Sequence, residues 1–379
     1  HQSTKSIIRQ FERLFADARV RFAGDVELGR DLSLAELREV FDAVVLATGL
    51  EDDRSLGIEG DRLPGVHGAG AITRVLNAHP DEEPGLPELG ADVVIIGGGN
   101  VAMDLLRFLA KDDAGFEESD IADPAVEAYL ARPAERVTVL NRSGPAEAKS
   151  DPQMIRELAA LPRARYSAPD LERFDPSPFE DDRVARARIA ALRELTDAGR
   201  PGYPGPEVTL RFGATPMRVI GVDRVEGVEV LVGGAVKVVP ASAVMTAIGF
   251  QAGSGELAEL LANVAETGRI ELGLYRTGWA KRGPRGAIPE NRSCAKSVTA
   301  EILADLAAGR IDAGRHAGYR GLPERVRSRA VSYEQWLNLE RHERELAPPG
   351  RVRRKLADRG AMVAVARATQ SAEEGTPQK

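Results

Sequence analysis

The residues whose types and spacing could do chemistry stand close together near residue 100. Gly97, Gly99 and Ala102 form Gly-x-Gly-x-x-Ala, directly after the apolar run Val93-Val94-Ile95-Ile96 and before Met103-Asp104-Leu105-Leu106, whose spacing is helical. A buried strand that turns sharply into a helix presents unpaired N–H groups and a partial positive charge, which suits a phosphate. Gly97 would allow the tight turn, Gly99 would let the backbone approach a pyrophosphate, and Ala102 would let the helix pack closely on the strand. The turn Gly97-Gly98-Gly99-Asn100-Val101 is therefore the candidate dinucleotide site. The competing reading is a packing turn that holds no ligand. The choice between nicotinamide dinucleotides is read at the end of the next strand, where an acid marks NAD and an arginine accommodates the 2′-phosphate of NADP. After Val137-Thr138-Val139-Leu140 comes Asn141-Arg142-Ser143-Gly144-Pro145, with no carboxylate, so Arg142 favours NADP; a surface arginine without a ligand is the alternative. The separation from the glycine turn exceeds the usual spacing of about 20 residues, so the charged stretch 111–133 reads as an insertion in one strand–helix–strand unit. A second pattern, Gly68-Ala69-Gly70-Ala71-Ile72-Thr73, follows no apolar strand and is set aside as a phosphate site.

These motifs require a parallel sheet behind them. Val44-Val45-Leu46, Val93-Val94-Ile95-Ile96 and Val137-Thr138-Val139-Leu140 read as strands, with helical stretches between the later two. From Val208 the texture changes to short pieces, Val208-Thr209-Leu210-Arg211-Phe212, Val228-Glu229-Val230-Leu231-Val232 and Val236-Lys237-Val238-Val239, which read as an antiparallel meander. A long helix is expected over about 295–308, ended by Gly309. The proline-rich stretches 80–89 and 199–206 read as loops, residues 7–15 as an amphipathic helix, and the polar tail from Thr369 as frayed.

The 379 residues, 43% hydrophobic and 29% charged, suffice for two or three folded units. The net charge of −7 argues against nucleic acid as the main ligand. One cysteine, Cys294, cannot form an intrachain disulfide or by itself hold an iron–sulfur cluster or zinc. With no apolar run long enough to span a bilayer and no signal-peptide layout, the chain reads as soluble and cytoplasmic.

Several segments carry a family resemblance. Phe41-Asp42-Ala43-Val44-Val45-Leu46-Ala47-Thr48-Gly49 resembles the Ala-Thr-Gly segment of two-dinucleotide flavoprotein reductases, and Leu63-Pro64-Gly65-Val66 continues that pattern. Gly97-Gly98-Gly99-Asn100-Val101-Ala102-Met103-Asp104 resembles the NADP turn of adrenodoxin reductase-type ferredoxin-NADP reductases, and Arg142-Ser143-Gly144-Pro145 their Arg-Arg-Gly-Pro. Gly278-Trp279-Ala280-Lys281-Arg282-Gly283-Pro284-Arg285-Gly286-Ala287-Ile288 resembles their flavin-contacting block. The resemblance runs in order from His1 to about Gly309.

It implies an α/β fold of the three-layer ββα type, with a Rossmann-like NADP domain (51–246) inserted in a split FAD domain (1–50 and 247–345), followed by an extension (346–379). It implies an enzyme passing electrons from NADPH through FAD to a ferredoxin-like iron–sulfur protein. By matching motif, Gly97, Gly98, Gly99, Asn100, Val101 and Arg142 would hold NADP, and Gly49, Trp279, Gly286 and Ile288 would serve FAD. His1 would lie near the flavin with Glu157 as its carboxylate partner, and Asp104 would lie near the nicotinamide. Without the resemblance, Asp104 reads as a first-turn helix carboxylate and Glu157 as a solvated helix charge. Ser143 stands where the family has a second arginine, so the preference for NADP over NAD is expected to be relaxed. The family's first glycine turn, for the FAD pyrophosphate, would precede His1, so the sequence reads as lacking the N-terminal part of the FAD domain and as retaining FAD poorly. Alternative readings are an electron-input module of a glutamate synthase-like complex and an inactive NADP-binding remnant. Arg183, Arg186 and Arg193 read either as a patch steering an acidic ferredoxin or as a solvated helix face.

Overall fold

Valine and isoleucine, stiff at the first side-chain torsion, fill the central strands of the chain. In the computed structural model, which describes residue 5 and residues 7–200 and 203–368, six strands form one parallel sheet. Their spatial order is Val66–Gly68, Ala243–Thr246, Asp92–Ile96, Arg136–Asn141, Tyr203–Phe212, Arg163–Ser167. Alternate residues of Asp92–Ile96 face opposite ways. Val93 and Ile95 join the core under the helices, including Leu105, Leu106 and Leu109 of the Asn100–Leu109 helix. Val94 and Ile96 join a second core with Val219, Val228 and Val230 of a three-stranded antiparallel sheet, Thr215–Ile220, Gly227–Val232 and Ala235–Pro240. Helices, parallel sheet and antiparallel sheet are thus three layers of one unit, which comprises Leu50–Glu117 and Ile121–Ala262.

The other unit comprises His1–Gly49, Glu118–Asp120 and Asn263–Lys379. Its sheet has Val44–Leu46 parallel to Leu274–Arg276, which pairs antiparallel with Arg269–Glu271. The helix Ile288–Ala307 packs Cys294 and Val298 against Tyr275 and Ile311. Buried Asp305, on the same helix, accepts the Tyr275 hydroxyl at 2.5 Å and pairs with Arg269 and Arg310. These bonds hold its carboxyl below the usual carboxylate range, against the opposing effect of burial.

Four expectations change. The run from Val208 is not part of the meander: Tyr203–Phe212 is a parallel strand between Arg136–Asn141 and Arg163–Ser167. Only the later pieces form the antiparallel sheet, together with Thr215–Ile220. Pro204 and Pro206, read as loop, begin that strand. The register shift between Arg163 and Arg165 accommodates residues that cannot donate to the ladder. The long helix starts at Ile288, with Pro in its first two positions, rather than near 295. A strand, Val66–Gly68, does precede the second glycine pattern, and its only strongly apolar residue is Val66. The helix after it, Ala69–Leu76, is capped by Asp53, which accepts from the Gly70 and Ala71 N–H groups at 2.8 and 3.1 Å. A carboxylate occupies the place a phosphate would need.

Candidate dinucleotide-binding site

The strand Asp92–Ile96 leads through the glycine turn into the helix Asn100–Leu109. It lies between Ala243–Thr246 and Arg136–Asn141, where the order of chain connections reverses. Open parallel sheets bind ligands outside the carboxyl ends of strands at such a switch point. The three glycines are required for different reasons. Gly97 has φ +129°, and a Cβ there would lie 2.2 Å from the Ala247 carbonyl oxygen. At Gly98 a Cβ would lie 2.1 Å from Nδ2 of buried Asn141. Gly99, by contrast, has φ −96°, ψ −175°, and a Cβ there would meet nothing within 4 Å. The helix that follows has no side-chain cap. Packing therefore explains two of the glycines and leaves the third facing an open helix N-terminus, the geometry a pyrophosphate fits.

Arg142, just past the neighbouring strand, is exposed and makes no ion pair or hydrogen bond among the described residues. The backbone just after it is fixed at Ser143, whose N–H donates to Asn141 Oδ1 at 3.1 Å and whose carbonyl accepts the Gly213 N–H at 3.1 Å. Asn100 joins both edges of the site, since its Oδ1 accepts the Asp151 N–H at 2.8 Å. Val101 is half-buried beside it. An open helix N-terminus with a free arginine at the next strand end fits NADP.

Asp104 is the fifth residue of its helix, not a first-turn carboxylate, and it pairs with Arg107 one turn on. The same guanidinium holds Glu157, on Pro152–Ala159, at 2.9 Å. Arg107 thus brings together two residues that the sequence placed separately. No local pattern marked it, because the bond to Glu157 spans 50 positions. His1 lies outside the described residues.

In the other unit, Gly49 has φ +75° just after the Val44–Leu46 strand. The block from Gly278 to Ile288 turns through three left-handed glycines, Gly278, Gly283 and Gly286. A Cβ on Gly286 would lie 2.7 Å from that of Glu290. The Trp279 indole N–H donates to the Gly286 carbonyl at 3.3 Å. Ile288 is 36% exposed at the start of a 20-residue helix whose first turn is capped by Glu290, which accepts the Ala287 N–H at 2.8 Å. A half-buried aromatic ring and an exposed aliphatic residue fit a flavin ring. Behind them, the Cys294 sulfur accepts from the Gly278 N–H at 3.3 Å. Burial pushes its thiol up, but bonds from Thr277, Gly278 and Arg282 and the Lys281 charge bring it below its ordinary value.

Fold and turn together define a dinucleotide-binding α/β protein. No protein-family model matches the chain. It is 39% identical over 378 residues to cindoxin reductase of Citrobacter braakii, covering 97% of this chain and 81% of that protein. To mouse mitochondrial NADPH:adrenodoxin oxidoreductase it is 31% identical, over 96% of this chain and 81% of that one. Among solved structures it is similar to FprA, a Mycobacterium tuberculosis oxidoreductase, with a TM-score of 0.85 and 30% identity over 97% of this chain and 87% of that one. FprA in complex with NADPH matches with a TM-score of 0.82 and 29% identity over 96% of this chain and 86% of that one. The chain belongs to the adrenodoxin reductase-type family of ferredoxin-NADP reductases.

Proposed function

We propose that the chain is a cytoplasmic oxidoreductase that transfers electrons from NADPH, through FAD, to a ferredoxin-like iron–sulfur protein. The observation that carries this reading is the uncapped helix after Gly99 with unpaired Arg142 at the next strand end. FAD, when bound, supplies the conversion between hydride and single-electron transfer. The backbone N–H groups after Gly99 bind the NADP pyrophosphate, and Arg142 binds the 2′-phosphate. Asp104 and Glu157, fixed by Arg107, serve the nicotinamide end by orienting it and excluding other poses. Gly49, Trp279, Gly286 and Ile288 hold FAD.

Arg183, Arg186 and Arg193 project from the helix Arg183–Leu195, all exposed and without ion pairs among the described residues. They steer an acidic partner toward this unit, an effect on association rate that salt screens. The test is NADPH-dependent reduction of a purified ferredoxin by the full chain supplied with FAD. Turnover that requires both NADPH and ferredoxin supports the proposal, and its absence with correctly folded chain overturns it.

A further inference from the structure

The segment 142–151, between the strand Arg136–Asn141 and the helix Pro152–Ala159, is held at both ends. Ser143 is tied to Asn141 and Gly213, and Asp151 to Asn100. Its middle is a single turn in which the Glu147 and Ala148 N–H groups donate to the Gly144 carbonyl at 3.2 and 3.1 Å. One side chain from outside the segment grips this middle. Arg188, on the helix Arg183–Leu195, donates Nε to the Ser150 carbonyl at 2.9 Å and Nη1 to the Ala146 carbonyl.

Arg188 has no carboxylate salt-bridge partner among the described residues. Burial pushes its guanidinium below the ordinary value, while the charges of Asp182 and Asp151 partly oppose the shift. An arginine desolvated for two backbone carbonyls is a costly way to finish a surface turn. Its planar fork does one thing that neither an aliphatic residue nor lysine does as well, which is to hold two carbonyls at once. Helix geometry sets it apart from the exposed arginines: at 100° per residue it points about 140–160° away from Arg186 and Arg193.

We propose that Arg188 is a positioning residue for the 2′-phosphate of NADP, one that fixes the cofactor loop 142–151 before the ligand arrives. The inference rests on the reading of Arg142 as the 2′-phosphate contact. Ser143 supplies no second guanidinium, so discrimination falls to Arg142 and to the backbone around it. A loop already ordered loses less conformational freedom on binding, and this raises affinity without a new contact. Arg188 compensates for Ser143 by preorganisation.

The experiment is calorimetric titration of the full chain and its variants with two probes, 2′,5′-ADP and 5′-AMP, which differ in the 2′-phosphate. Arg188→Met is expected to weaken 2′,5′-ADP about tenfold, the scale of losing one or two hydrogen bonds, and to leave 5′-AMP within about twofold. Arg188→Lys, which keeps the charge and loses the fork, is expected to fall between; it serves as the test if the methionine variant does not fold. An unchanged 2′,5′-ADP to 5′-AMP ratio, or equal loss of both probes, overturns the inference. Arg142→Ala, run alongside, reports on the underlying reading. If its ratio falls while that of Arg188→Met does not, the inference alone fails. If its own ratio is unchanged, the Arg142 reading fails and the positioning role fails with it.

Discussion

Alanine at Gly99 and alanine at Gly97 should produce opposite results, because only one of these glycines is required by packing. At Gly99 the backbone sits at φ −96°, ψ −175°, a conformation alanine adopts freely, and the new methyl meets nothing within 4 Å. Removing glycine's extra freedom from the unfolded chain should then stabilise the protein by about 0.4–1 kcal/mol. The same methyl occupies the space through which a pyrophosphate approaches the helix N–H groups. Losing one charge-assisted hydrogen bond costs about 1.5–3 kcal/mol, or roughly 10- to 150-fold in affinity. At Gly97 the φ of +129° and the Ala247 carbonyl oxygen 2.2 Å from the added Cβ both oppose alanine. Strain of about 1–3 kcal/mol at the backbone angle, added to about 1–3 kcal/mol for displacing a strand end, gives a loss of about 2–6 kcal/mol. At about 2–4 °C per kcal/mol for a unit of this size, that lowers the melting temperature by about 4–24 °C. Thermal unfolding and NADPH titration of both variants provide the assay. Wild-type NADPH affinity in a folded Gly99→Ala protein would refute the assignment of the helix N-terminus to phosphate.

Four further outcomes are expected. Asp53→Ala removes the cap from the Ala69–Leu76 helix and should cost about 1–2 kcal/mol, seen as a lower melting temperature with NADPH affinity retained. Arg142→Ala should weaken NADPH roughly tenfold or more while barely changing NADH, as measured by competitive titration. Replacing Arg183, Arg186 and Arg193 together by glutamate should slow reduction of ferredoxin at low salt, with the difference from wild type vanishing as salt rises. Lys355 is pushed from 10.5 down to about 8, first by burial and then by the Lys5 charge, with Asp120 opposing. The unfolded chain therefore binds more protons than the folded one between those values. Stability should rise between pH of about 8 and 10.5 by on the order of 3 kcal/mol, and Lys355→Met should abolish that rise in pH-dependent unfolding.

The glycine turn was legible because its signal is local: Val93 to Leu106 carry strand, turn and helix in one continuous stretch, and the structure follows it. The same holds for the strand ending at Asn141 and the free arginine after it. Val208 to Phe212 misled because a short run of valine and leucine does not say whether its partners run parallel or antiparallel; pairing with residues 136–141 and 163–167 settles that at long range. The Val66–Gly68 strand was missed because it is three residues long with His67 at its centre. The residues that hold the site in shape were the least legible. Asn141 fills the space over Gly98, Arg107 joins Asp104 to Glu157, and Arg188 grips two carbonyls about 40 positions away. Each acts through a tertiary contact, and none belongs to a periodic pattern or motif.

The most direct test of the central claim is an anaerobic absorbance titration of the full chain, supplied with an equivalent of FAD, against NADPH and then ferredoxin. The flavin's visible band is expected to bleach on adding NADPH, to do so more slowly with NADH, and to return when oxidised ferredoxin is added. A band that stays unchanged while NADPH binds to the folded chain would contradict that claim.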